Sequence, residues 1–195
     1  PVEERCFPLY TSDWDVFDFK PWHAVPEGFQ IDELREIGKD DSQSLLVQEL
    51  SNFDQLHYYG TEAVDFAIKK LGINSSMSIL EIGSGIGGPA RHIANETGAT
   101  VFALELQPDQ NKLAAELTDR CGLTKKVIHL EGDFMTHDWQ EKKFDAIVSW
   151  LTLYHILSGT EKDLNNFPTK RGASRRGVLA VFRQIGGRCY SEYYA

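Results

Sequence analysis

The chain has 195 residues, of which 42% are hydrophobic and 25% charged, and a formal net charge of −9. That is enough chain for one domain with its own core. The acidic balance excludes a basic nucleic-acid-binding surface as the main feature and leaves a small molecule as the expected partner.

Cys6, Cys121 and Cys189 form no CxxC pair, so neither a disulfide framework nor a metal site is expected, and a reducing, cytoplasmic setting fits. No stretch approaches the roughly 18 apolar residues that span a bilayer, so no membrane role is expected. The N-terminus, Pro1-Val2-Glu3-Glu4, has neither a signal-peptide pattern nor an initiator Met, which suggests a processed chain or a fragment.

Residues 1–30 are aromatic-rich and broken by Pro8, Pro21 and Pro26, which reads as an irregular arm. Two helices are expected over about 42–71. The first runs through Leu45, Leu46 and Leu50. The second carries the stripe Ala63, Val64, Ala67, Ile68 and Leu71, stopped by Gly72. From Met77 strands and helices alternate. Strands are expected at 79–82, 100–104, 126–130 and 144–149, and proline-opened helices at 89–97 and 108–121. This alternation predicts an α/β fold with a mostly parallel sheet and helices on both faces. Residues 1–72 read as an arm and helices covering the site, and residues 73–195 as the Rossmann-like part of one structural unit. The last stretch differs. Between Phe167 and Ser191 stand Lys170, Arg171, Arg175, Arg176, Arg183 and Arg188 with no acidic residue. A helix and a final strand over 188–193 are expected there.

The strongest chemical signal is Ile79-Leu80-Glu81-Ile82-Gly83-Ser84-Gly85-Ile86-Gly87-Gly88-Pro89. A buried strand ends in a glycine loop and a helix follows, the place where open α/β sheets bind ligands. Gly83, Gly85 and Gly88 fit the GxGxxG dinucleotide pattern. Gly83, Gly85 and Gly87, preceded by Glu81, fit (E/D)xGxGxG, so both readings stay open at this loop. Glu105 ends the second strand 22 residues after Gly83 and suits ribose hydroxyls under either reading. Gly132-Asp133-Phe134 after the third strand separates them. Asp133 can accept from an adenine amino group and Phe134 can supply an apolar wall, for which a dehydrogenase has no special need. Ser149 ends the fourth strand beside the same crevice, and its backbone suits an ammonium group.

These blocks together, over about 56–157, resemble the class I S-adenosylmethionine-dependent methyltransferases. The resemblance implies a Rossmann-like methyltransferase fold. It implies S-adenosylmethionine as cofactor and S-adenosylhomocysteine as product. Gly83, Ser84, Gly85 and Gly87 would face the methionine part, Glu105 and Leu106 the ribose side, and Asp133 and Phe134 the adenine. The segment from Phe53 to Ala63 is similar to the one preceding the first strand in small-molecule methyltransferases of the glycine/sarcosine, phosphoethanolamine and sterol or quinone groups. That likeness makes Gln55 and Tyr59 cofactor-site candidates, and His57 and Tyr58 catalytic ones. The stretch from Ser149 to Ile156 is similar to the segment that places a histidine near the transferred methyl, here His155. The expected reaction is methyl transfer to a small molecule, with an amine nitrogen as acceptor and His155, then His57, as base. The family's R-x-L-K-P-G-G turn survives only as Gly186-Gly187, and its seventh strand is expected to be missing. The sheet edge left unpaired would favour self-association. The alternative is a truncated relative that binds cofactor or a partner without catalysis.

Overall fold

In the computed structural model, residues 34–36, 38–40, 42–57, 59–140 and 142–152 are described in full, with the backbone of 179–185 and 188–194. The arm over 1–30, Tyr58 and His155 lie outside the described residues.

Among the described residues the elements follow in the order α1 (Val47–Leu50), α2 (Gly60–Leu71), β1 (Ser78–Ile82), α3 (Gly88–Thr97), β2 (Thr100–Glu105), α4 (Pro108–Arg120), β3 (Val127–Glu131), β4 (Ala146–Ser149), β5 (Leu179–Ile185) and β6 (Arg188–Tyr194). They build a six-stranded sheet in the order β3-β2-β1-β4-β5-β6. All neighbours are parallel except β5 and β6.

The helices begin and end where local chemistry dictates. Pro89 and Pro108 occupy the first turns of α3 and α4, where a missing N–H costs nothing. Gly72 and Gly98 close α2 and α3 in the left-handed conformation, at φ 63° and 70°, which a side chain resists. The first expected helix shrinks to the single turn α1. Glu49 Oε2 accepts the Leu46 N–H at 2.8 Å and so starts the turn. Leu45 and Leu50 are buried while Leu46 is exposed, and the chain then leaves helical geometry to carry Asp54 into the interior.

The strand order reverses once. The chain steps from β1 to β2 to β3 in one direction, and right-handed crossovers therefore place α3 and α4 on the same face. On that face Ile79, Val101, Ala103, Val127, Ala146 and Val148 pack against Ala63, Val64 and Ala67 of α2 and Ala90, Ile93 and Ala94 of α3. Each large side chain fully buried there contributes roughly 1.5–3 kcal/mol. Leu34, Leu45 and Leu50 extend the same layer onto Leu117 of α4. The opposite face carries Leu80, Ile82, Leu104 and Ile147, covered by Phe134 and Phe144 with Trp139 packed against them. Among the described residues no helix lies there. The return from β3 to the far side of β1 opens a crevice at the carboxyl ends of β1 and β4, the ligand position of such sheets.

The C-terminal part departs from expectation. Residues 179–185 form a strand, parallel to β4 through Val148↔Ala180 and Ser149↔Val181. β6 pairs with it along its whole length, from Leu179↔Tyr194 to Ile185↔Arg188. β6 is the final strand expected over 188–193, and it lies at the edge of the described sheet beside β5.

Candidate active site at the reversal of the sheet

The glycine loop is shaped by the neighbouring strand. The N–H groups of Gly83 and Ser84 both donate to Leu104 O, at 2.8 and 3.0 Å, Gly85 N–H donates to Glu105 Oε2 at 2.8 Å, and Gly87 N–H donates to Ser84 O at 2.8 Å. Gly83, Gly85 and Gly87 take φ values of 69°, 53° and 80°, a region that favours glycine. Their surroundings differ. A Cβ on Gly83 would collide with Thr152, and one on Gly87 would stand 2.9 Å from Arg91 Nη1 and from His129 Cε1. A Cβ on Gly85 would meet only Gln110 Oε1 at 3.4 Å and Leu56 Cδ1 at 3.9 Å, ordinary contacts. The protein packs tightly around the ends of the loop and leaves room at its middle. The Ser84 hydroxyl in that loop is buried without a hydrogen-bond partner.

Glu105, at the end of β2, is buried and accepts two backbone N–H groups, Gly85 at Oε2 and Gln107 at Oε1 (3.0 Å). Each oxygen keeps capacity for a further donor. Leu106, the next residue, is 63% exposed. After β3, Asp133 Oδ1 accepts the Met135 N–H at 2.9 Å, which folds the turn. Phe134 is buried beneath, 6.2 Å from the Trp139 ring, while Met135 is 52% exposed. Ser149 is fully buried, and its hydroxyl donates to Ile82 O at 2.9 Å across the reversal.

Beneath the loop lies a buried charged layer that sequence reasoning missed. Arg91, on α3, is fully buried and donates from Nη2 to Asp54 Oδ2 at 2.9 Å. Its Nη1 donates to Ala114 O at 3.2 Å and to Thr118 Oγ1 at 3.3 Å. Thr118 Oγ1 also pairs with His129 Nε2 at 2.8 Å. Burial, and secondarily Arg91, push His129 from its ordinary value of 6.5 down to about 4. Glu81 is wholly buried, and burial raises its carboxyl well above the ordinary range. Glu105 and Asp54 add to the rise, and Arg91 and the Ala90 N–H oppose it. The available signal was Arg91 amid the apolar stripe Ala90, Ile93 and Ala94, because a charge on a core-facing helix stripe requires a buried partner.

The segment before α2 crosses the top of the crevice. Gln55 Nε2 donates to Asp54 Oδ1 at 2.9 Å, which turns Gln55 Oε1 toward His57 Nε2 at 3.1 Å. His57 therefore carries a hydrogen on Nε2, and its lone pair is on Nδ1 when the ring is neutral. The ring stacks on Trp150, immediately after β4, with centroids 5.0 Å apart and planes inclined by 21°. Tyr59 caps α2 with φ 66° and is 43% exposed. Leu151 also has a left-handed φ of 56°, which brings Thr152 over Gly83. The structure thus gathers Gln55, His57, Gly83, Ser84, Gly85, Glu105, Leu106, Asp133 and Ser149 around the carboxyl ends of β1 to β4. It adds Asp54, Arg91 and Trp150. Among the described residues no cluster of His, Cys, Asp and Glu suits a metal ion, and no helix is long and apolar enough to cross a membrane.

Residues 79–167 match a family model described as a methyltransferase domain. A sterol 24-C-methyltransferase of Yarrowia lipolytica is 31% identical over 73% of this chain and 39% of its own length. The sterol 24-C-methyltransferase ERG6B of Gibberella zeae is 30% identical over 80% of this chain and 46% of its own. The chain thus spans less than half the length of either relative. A solved S-adenosylmethionine-dependent methyltransferase of Thiobacillus denitrificans, in complex with S-adenosylhomocysteine, shares the fold. Its TM-score is 0.56 at 15% identity, over 68% of this chain and 52% of that one.

Proposed function

We propose that this chain, which belongs to the class I S-adenosylmethionine-dependent methyltransferases, binds S-adenosylmethionine across the reversal of its sheet and methylates a small, largely apolar molecule. The observation that carries this reading is the middle of the glycine loop. Gly85 is loosely packed, with only the side-chain tips of Gln110 and Leu56 in ordinary contact, and beside it stand a Ser84 hydroxyl with no partner among the described residues and a Glu105 carboxylate with spare acceptor capacity. Those groups fit a ligand with a polar amino-acid end and a ribose. Gly83, Ser84, Gly85 and Gly87 would line the methionine part, with Ser149 at its ammonium. Glu105 would accept from the ribose hydroxyls. Asp133 and Phe134 would serve the adenine, Asp133 through the oxygen its turn leaves over, and exposed Leu106 would cover its face.

The bound cofactor supplies an electrophilic methyl group on a sulfonium. The chain's part is to hold an acceptor about 3–3.5 Å from that methyl and to exclude water. Gln55, His57, Tyr59 and Trp150 stand where an acceptor would enter. Leu56, 48% exposed, offers apolar surface. The His57 ring is oriented there by Gln55 and Trp150. Tyr58 and His155, the other two catalytic candidates, lie outside the described residues.

The relatives' names favour a sterol-like acceptor alkylated at carbon. An amine nitrogen is the second reading, favoured by an oriented imidazole beside an aromatic ring, since an amine must lose a proton to attack. Calorimetric titration with S-adenosylhomocysteine, with NAD as control, tests the cofactor site. Binding of the first alone is expected, and a folded protein that binds neither refutes the reading. Incubation with methyl-labelled S-adenosylmethionine and separate panels of unsaturated sterols and amines then tests the acceptor. Label in the sterol fraction is expected. Label only in the amine fraction would establish the second reading.

A further inference from the structure

Asp54, Gln55, Leu56 and His57 form a strap touching both sides of the crevice. At one end Asp54 O lies so close to Gly88 that a Cβ there would collide with it. In the middle Leu56 reaches the open side of Gly85. At the other end His57 stacks on Trp150. Strap and helix α3 are joined through the interior by the Arg91–Asp54 ion pair, both side chains fully buried. From it a continuous chain of contacts runs Arg91, Asp54, Gln55, His57, Trp150.

We propose that the buried Arg91–Asp54 pair is the pin that sets the strap over the crevice, so that both residues position the ligand-facing side chains Gln55 and His57 without touching a ligand themselves. This rests on the methyltransferase reading for what the strap covers, but not for the pin itself. Arg91 suits the task because its planar guanidinium grips α4 at Ala114 and Thr118 through one nitrogen and the strap through the other. The carboxylate of Asp54 divides its oxygens in the same way, one to Arg91 and one to Gln55. A hydrophobic contact in this place would hold the strap near the sheet. It would not specify which way the Gln55 amide points, and hence not which face and nitrogen His57 presents.

The test separates pinning from mere stability. Replacing a buried ion pair by apolar groups of similar volume often preserves stability, so the Asp54→Leu/Arg91→Met double variant is expected to fold. The indole N–H resonance of Trp150, assigned by its loss in Trp150→Phe, reports the His57 stack. In the double variant it is expected to move to its position in His57→Ala, while the Trp139 resonance stays. S-adenosylhomocysteine should bind at least tenfold more weakly than to the parent chain. A folded double variant that keeps the parental Trp150 resonance, or the parental affinity, overturns the proposal. Should that variant not fold, Asp54→Asn is read instead. It keeps the volume but removes the charge, and it should shift the same resonance in the same direction by a smaller amount; no shift overturns the pin. Failure of the parent chain to bind S-adenosylhomocysteine refutes the methyltransferase reading alone, because the indole resonance still decides the pin.

Discussion

Gly88→Ala sets two physical effects against each other, and the structure decides the sign. Gly88 opens α3 and, unlike the loop glycines before it, has no left-handed φ. On helix propensity alone, alanine would stabilise by up to about 1 kcal/mol. The new Cβ, however, would collide with Asp54 O and stand 2.7 Å from its carbonyl carbon and 2.8 Å from Gln55 Nε2. Backbone does not yield as a flexible side-chain tip does, and Asp54 cannot retreat without stretching its 2.9 Å ion pair to Arg91. Overpacking of this kind costs typically 1–3 kcal/mol, so a net loss of about 1–2 kcal/mol is expected. In a chain of this size that lowers Tm by roughly 2–8 °C. Thermal unfolding by circular dichroism measures it, and S-adenosylhomocysteine titration should show weakened binding as the strap lifts. Gly72→Ala is the control. It has open space but φ 63°, so it should lose about 1–2 kcal/mol to backbone strain with ligand affinity unchanged. A Gly88→Ala protein as stable as the parent would refute the close approach of strap and helix.

Glu105→Ala should weaken S-adenosylhomocysteine binding by about 1.5–3 kcal/mol, the worth of a hydrogen bond to a charged group, or roughly 10- to 150-fold by calorimetry; unchanged affinity would remove Glu105 from the site. His129 titrates near 4 when folded and near 6.5 when unfolded. Between those values the unfolded state binds more protons, so stability falls as pH drops through this window, by up to about 3 kcal/mol. His129→Gln should flatten that acid limb in urea titrations at pH 4 to 7, and an unaltered slope would contradict the burial of the ring. Glu81 has the opposite linkage. Its raised folded value favours the native state at low pH and costs stability as pH rises above the ordinary carboxylate range. Glu81→Gln should therefore gain stability relative to the parent at pH 7 and lose that advantage near pH 4; equal curves at both would show that the carboxyl is not held protonated.

Much of the fold is legible because its signals are local. The starts of α3 and α4 follow from Pro89 and Pro108 and the end of α3 from Gly98, which act within one turn. The buried strands β1, β2 and β4 follow from short apolar runs, and the glycine loop is visible because backbone geometry restricts its residue types. The missed features are non-local. The turn Val47–Leu50 and the expected longer helix share the same apolar residues, and just beyond the turn Asp54 enters the interior to meet Arg91, 37 positions away. β5 is obscured in the sequence because Gly186-Gly187 resembles the remnant of a family turn, although Leu179–Ile185 has the apolar character of a strand. The buried layer under the loop was invisible for a related reason. Periodicity shows that Arg91 faces inward, but only the packed structure shows what meets it there.

That layer also bears on how a ligand site survives at the point where a sheet reverses. The reversal leaves a crevice at the carboxyl ends of β1 and β4, and nothing in the strand order fills the gap. The floor is held by short-range means, the N–H groups of Gly83 and Ser84 on Leu104 O and the Ser149 hydroxyl on Ile82 O. The roof is a segment from before β1, and hydrogen bonds of the sheet cannot reach it. A desolvated ion pair with defined geometry is suited to that join, because leaving either charge buried and unpaired would be strongly unfavourable. Displacing the roof therefore means exposing or orphaning Arg91. Gly88 follows from the same requirement, since the roof can reach Arg91 only where the helix start carries no side chain.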